Sequence, residues 1–186
     1  MAEYVREELL IEHGFDRKRC RHEIGGLTAV LHCHHFATLI SRLANDCKLV
    51  DAKRILADCA EDAFHTALSN YFKRHGVSGI ERRARIAEQY FSAVGLGLMR
   101  VKYAGYCSGE VIMEHSHVDE GWLKKWGEAN SPVNHIGRGY VTAAFSAIFD
   151  RGRRIYFATE RQSIARGASR SVIRVTDARG DGEGAM

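Results

Sequence analysis

The sequence predicts an α+β fold, an antiparallel sheet packed against helices. Three observations carry this. Residues 51–73 place Ala52, Ile55, Leu56, Cys59, Ala63, Ala67, Leu68 and Tyr71 on one helical stripe. Two pairs of short strand-like stretches, 98–103 with 110–114 and 154–160 with 171–176, read as hairpins. Helical stretches fall before and between those pairs, so strands and helices do not alternate as in a parallel α/β chain.

In chain order, residues 1–24 are polar and charged, with Arg17, Lys18, Arg19, Arg21 and His22 close together. They read as an amino-terminal arm ending in a turn at Gly25-Gly26. Residues 27–31 form a short apolar run with Thr28 and Val30, consistent with a strand. Phe36, Leu39, Ile40 and Leu43 then recur at helical spacing. Asp51 is a fitting N-cap for the long helix, and Gly76 a fitting stop. A third helix over 80–94 turns Ala84, Ala87, Tyr90, Phe91 and Val94 inward and ends at Gly95-Leu96-Gly97. Ser108-Gly109 reads as the turn of the first hairpin. Trp122 and Trp126, four apart, mark a shorter helix that Asn130-Ser131-Pro132 breaks. Residues 135–149 form a helix rich in small residues (Gly137, Gly139, Ala143, Ala144, Ala147), suited to close packing against a sheet or another helix. Residues 177–186, rich in Gly and Asp, read as a disordered tail. One domain over residues 25–176 follows.

Composition narrows the function class. The 186 residues carry 27 Lys+Arg and 23 Asp+Glu, a formal charge of +4, too small by itself to argue for nucleic acid or a membrane surface. No run of apolar residues is long enough for a membrane helix. Met1-Ala2-Glu3-Tyr4 lacks the layout of a signal peptide, so a cytoplasmic protein is expected. Five cysteines without CxxC spacing speak against a disulfide framework or a four-cysteine zinc site, and Cys47 and Cys59 are expected to pack as small buried hydrophobes. No G-x-S-x-G and no strand-to-helix G-x-G-x-x-G occurs, so neither a serine nucleophile nor a dinucleotide site is expected. The carboxyl-terminal arginines (Arg151, Arg153, Arg154, Arg161, Arg166, Arg170, Arg174, Arg179) have little aromatic interleaving and read as a charged sheet edge.

The carboxyl half resembles the 4-vinyl-reductase-like small-molecule-binding family. The carrying residues are Ser131-Pro132-Val133-Asn134, Gly139-Tyr140 in the small-residue helix, Thr159-Glu160, Ile164-Ala165-Arg166-Gly167 and the strand from Ser171. The element order of the amino half agrees. The resemblance covers residues 25–176 approximately. It implies a fold shared with sensor domains of phenol- and xylene-responsive activators, hydrocarbon-binding proteins and vesicle-tethering subunits. It also implies an internal ligand pocket, usually in a dimer. In metal-bearing members a Cys follows Pro-Val, and Glu-x-x-Cys with a further Cys completes a zinc site. Here those positions are Asn134, Glu160, Ser163 and Ser171, so that zinc is expected to be lost and hydrogen bonds to replace it. In phenol sensors a Trp and a His hold the phenol hydroxyl. His115 stands at the tryptophan position and the histidine position falls near Ala93, so a simple phenol is not expected.

His32-Cys33-His34-His35 gathers four ligand-type residues where strand passes into helix. As a strand, His32 and His34 would share one face and Cys33 and His35 the other. His115 and His117 would share a face if their strand extends that far. One reading is a hydrogen-bonded histidine row. The other is a haem or an Fe or Zn ion held by His32, His34, His35, His115 and His117, with Cys33 or an imidazole axial to the haem. Glu114 beside His115 is a candidate catalytic carboxylate, whereas Asp119 and Glu120 read as a solvated helix N-terminus.

The expectation is a ligand-binding sensor or carrier for a hydrocarbon, aromatic, tetrapyrrole or acyl molecule. Phe36, Phe64, Tyr90 and Phe91 would line its pocket, and His34, His115 and Cys33 would anchor polar groups. A homodimer and a separate protein partner for output are expected, and no nucleic acid. The alternative is a haem or metal protein, either a gas or redox sensor or an enzyme.

Overall fold

The computed structural model describes residues 9–25, 27–30 and 33–177, with only the backbone of Leu27 and His34. The chain runs β1 (His13–Asp16), β2 (Arg21–Ile24), β3 (Leu27–Ala29), α1 (His34–Asp46), α2 (Ala52–Arg74), α3 (Ile80–Ala93), β4 (Gly97–Ala104), β5 (Ser108–Ser116), α4 (His117–Trp126), α5 (His135–Ile148), β6 (Tyr156–Gln162), a 3-10 turn at Ile164–Arg166, and β7 (Ser171–Asp177). The α+β prediction holds. The main sheet is antiparallel, in the order β4-β5-β7-β6, and β1-β2-β3 form a separate meander.

Local chemistry sets the helix ends. The Asp51 carboxylate accepts the Arg54 N–H at 3.1 Å and starts α2. Gly76 (φ +58°) stops it, and Val77 N–H reaches back to the Phe72 carbonyl at 2.9 Å. Ser116 caps α4, and Asn134 caps α5 by accepting Gly137 N–H at 2.8 Å. Helix α5 has twelve of its fourteen residues buried, because it lies between the sheet and α2. Its glycine permits this: a Cβ on Gly139 would stand 2.1 Å from the Ala57 carbonyl oxygen of α2. Leu68, Phe91, Met99, Val111, Met113, Tyr140, Phe145, Ile173 and Val175 form the core.

Several expectations need correction. The amino-terminal arm contains β1 and β2; Asp16 accepts the Lys18 and Arg19 N–H groups and turns the chain between them. The tail prediction falls on 178–186, outside the described residues, except for Asp177, which is buried at the end of β7. Ser108-Gly109 is not the hairpin turn but the start of β5; Gly109 lies under the Phe145 ring, which leaves a Cβ no room. Cys47 is half-buried and Cys59 exposed. The α1 stripe faces outward: Leu39 and Leu43 are exposed, while Ala37, Thr38, Ser41 and Ala44 pack inward. Small residues there let α1 sit close to α4 and α2. Trp122 and Trp126 pack edge to face at 4.9 Å, in a small core with Val133 and Ala165.

Candidate functional site

A cavity of about 720 Å³ opens between α2, α5 and β6. Helix α2 contributes Arg54, Ala57, Asp58 and Glu61, whose spacing places them on one face. Helix α5 contributes Arg138, Gly139 and Thr142, and β6 contributes Tyr156 to Thr159. Ala57, Gly139, Phe157 and Ala158 supply an apolar wall beneath a charged rim.

The rim charges are ordered. Arg154 adopts a left-handed backbone (φ +64°) and points its N–H at Glu61 Oε1, 2.7 Å away. Its guanidinium pairs with Glu61 at 2.9 Å, Asp62 at 3.0 Å and Asp58 at 3.4 Å. Arg54 also reaches Asp58, at 3.7 Å. Across the cavity, Arg138 Nη2 donates to His135 Nδ1 at 2.6 Å. Burial, and then the Arg138 charge, push the His135 pKa down to about 4, so the ring is neutral at physiological pH. A neutral ring that accepts at Nδ1 carries its proton on Nε2, which faces Asn45 Oδ1 at 3.4 Å.

A second polar cluster lies under α4, α5 and the 3-10 turn. Asn134 Nδ2 donates to Ser116 Oγ at 2.8 Å and to Asp119 Oδ2 at 2.9 Å. The Ser116 hydroxyl donates to the same Asp119 oxygen. Asp119 is fully buried, against its expected solvated position. Glu160 is 9% exposed, and neither of its oxygens has a well-formed hydrogen bond, although the Ser163 and Ser171 hydroxyls are nearby. Burial and then the Asp119 charge push the Glu160 pKa up to about 7. Burial raises the Asp119 pKa as well. The four positions where the resemblance implies zinc are thus an amide, a carboxyl group and two hydroxyls. Asn134 already spends its oxygen on the α5 cap and its nitrogen on Ser116 and Asp119. This donor set does not fit zinc, which prefers thiolate and imidazole.

The sequence-predicted site residues are placed as follows. His32 is outside the described residues, and the His34 side chain is not described. Cys33 and His35 are exposed at the start of α1. Strand β5 ends at Ser116, so His117 begins α4 and shares no strand face with His115. The His115 side chain is 68% exposed and bonded to Glu120 at 2.9 Å. Glu114 is exposed and pairs with Arg100 at 3.4 Å. Phe36 is also exposed. Phe64 and Phe91 both pack edge to face on Tyr140, at 4.8 and 4.9 Å, so the Tyr140 ring fills the space between them. Tyr90 is buried in the same core. Among the described residues no three His, Cys, Asp or Glu side chains form a group suited to a metal ion, and no helix is long and apolar enough to cross a membrane. Among the described residues, Cys33, Phe36, Phe64, Tyr90, Phe91 and His115 are not part of the α2–α5–β6 cavity lining. Its available sequence signal was the charged face of α2, with Arg54, Asp58 and Glu61 at helical spacing, opposite the glycines of α5.

No family profile matches the sequence, and no curated protein matches it. Solved structures do. The phenol-responsive sensory domain of the transcription activator PoxR, determined with phenol, superposes with a TM-score of 0.75 at 14% identity. The match covers 89% of this chain and 84% of that one. The chain has the fold of that sensory domain. Trafficking protein particle complex subunit 3 from Naegleria fowleri, covalently bound to palmitic acid, superposes with a TM-score of 0.52 at 13% identity, covering 77% of this chain and 94% of that one. A vinyl-4-reductase family protein from Methanocaldococcus jannaschii reaches 0.47 at 14% identity, with 77% of each chain covered. The fold shared with the phenol-responsive sensory domain is among those that the resemblance of the motifs implied.

Proposed function

We propose that this protein binds a small organic molecule in the cavity between α2, α5 and β6, as a sensor or carrier. The cavity itself carries the reading. Its volume of about 720 Å³ falls in the usual range for small-molecule sites, roughly 300–1,000 Å³. Its apolar wall can take the body of such a molecule, and its charged rim can orient a polar group. The sensory domain and the trafficking subunit that share the fold have phenol and palmitic acid in their structures.

Native mass spectrometry of the purified protein, followed by thermal-shift screening with aromatic and acyl compounds, tests this. A retained molecule, or a compound that raises the melting temperature of the native chain but not of Ala158→Phe, supports the cavity as the site. Equal shifts in both proteins, or no binding at all, overturn it. A Soret band or stoichiometric metal in the same sample would replace it with the haem or metal reading.

A further inference from the structure

The charges lining the cavity are unevenly matched. Asp58 and Glu61 are committed to Arg154, and Asp58 also to Arg54. Asp51 caps α2. Lys53 and Arg138 also line the cavity, and neither has an ion-pair partner among the described residues. Asp51 and Glu160 act on Arg138 only at longer range. Arg138 is half-buried, and its Nε has no hydrogen-bond partner. Its one bonded neighbour, His135, contributes a neutral ring rather than a counter-charge.

A guanidinium withdrawn from water without an anion is costly, and an unpartnered buried donor calls for a partner. The planar guanidinium fork fits a carboxylate better than any other common organic group. Lys53, on the first turn of α2, adds a second positive charge to the same cavity. Ala57, Phe157 and Ala158 leave an apolar surface for the remainder of the molecule.

We propose that the cavity takes an organic carboxylate, an aromatic or short acyl acid, whose carboxylate sits on Arg138 and Lys53 and whose apolar body lies along Ala57, Phe157 and Ala158. This rests on the cavity being the ligand site. It departs from phenol-type recognition, in which a neutral hydroxyl is held.

Isothermal titration calorimetry with matched pairs, benzoate against benzyl alcohol and hexanoate against hexanol, separates the two ideas. The carboxylates bind at least about tenfold more tightly than the alcohols, the usual scale of a charge-assisted hydrogen bond. Arg138→Gln brings the affinity for the carboxylates down to that for the alcohols. If circular dichroism shows Arg138→Gln to be unfolded, Lys53→Gln serves instead and narrows the carboxylate-to-alcohol affinity ratio severalfold. Alcohols binding as tightly as carboxylates, or variants that bind carboxylates as the native chain does, overturn the carboxylate proposal and leave the cavity reading intact. Absence of binding by all four probes overturns both.

Discussion

Glu61 accepts two hydrogen bonds from one residue, Arg154: the backbone N–H at 2.7 Å and Nη1 at 2.9 Å. The carboxylate is buried, while the arginine is partly exposed. This pairing ties the middle of α2 to the residues leading into β6, and so sets the width of the cavity mouth. Glu61→Gln keeps the shape but weakens the charged bonds. It is expected to cost about 1–3 kcal/mol in urea unfolding. Arg154→Ala is expected to cost at least as much, because it leaves Glu61 buried without its cation.

Glu160 gives a pH signature. Its carboxyl is half-ionised near pH 7 in the folded state and near 4.5 as a free side chain. Between those values the folded chain holds more protons than the unfolded one, so this contribution to stability falls as pH rises. It is complete below pH 4.5 and lost above pH 7. The groups facing it are Asp119, which opposes ionisation, and Ser163, Ser171 and Arg138, which favour it. Moving the carboxyl from 4.5 to about 7 corresponds to roughly 3 kcal/mol. Glu160→Gln should therefore gain stability relative to the native chain between pH 4.5 and pH 7, measured by chemical denaturation at each pH. A constant difference across that window would exclude a raised pKa.

His135 acts with the opposite sign. Its folded pKa, about 4, lies below the free value of 6.5, so the unfolded chain holds more protons between them. Stability from this residue is present above pH 6.5 and lost as pH falls to 4. NMR titration of the His135 ring should show no protonation at pH 6, and a ring that protonates near 6.5 would contradict this account.

Gly139→Ala should be costly for a packing reason. The new methyl would meet the Ala57 carbonyl at 2.1 Å and the Ala60 methyl at 2.8 Å. One of these obstacles is backbone, so α2 and α5 must separate. A loss of about 1–3 kcal/mol is expected, together with weaker ligand binding, since Gly139 also lines the cavity. An unchanged melting curve would disprove this account of the helix contact.

Much of the architecture was legible in the sequence because it is encoded by local periodicity. The extent of α2 with its Asp51 cap, the inward residues Ala84, Ala87, Tyr90 and Phe91 of α3, and the paired strands follow from spacing and end signals, whereas the α2 stripe is buried only at Ala67, Leu68 and Tyr71, with Ile55, Cys59 and Ala63 exposed. The first two strands were not legible, because their polar residues show no apolar alternation. The outward stripe of α1 was misassigned for a related reason. Periodicity finds an apolar face but does not say what covers it, and α1 packs through small residues instead. Gly109 looked like a turn residue, since a missing side chain reads the same whether backbone or a neighbouring ring needs the room.

The site was less legible. His115 belongs to a β-strand, but which face of the strand meets the core depends on register with β4 and on where α4 begins. Asp119 and Glu160 are far apart in sequence and become buried neighbours only when α4 packs against the β6–β7 end of the sheet. The cavity wall joins Arg54, Arg138 and Ala158 from three elements, and no local pattern links them. By itself the sequence determined the α+β class, the long helices with their caps, the hairpins and the replacement of cysteine ligands by Asn134, Ser163 and Ser171. Only the tertiary structure decided which charges were paired, which carboxylates were dry and where a ligand-sized space remained. Helices and turns follow from neighbours along the chain, whereas burial, ion pairing and cavities depend on which distant residues the fold brings together.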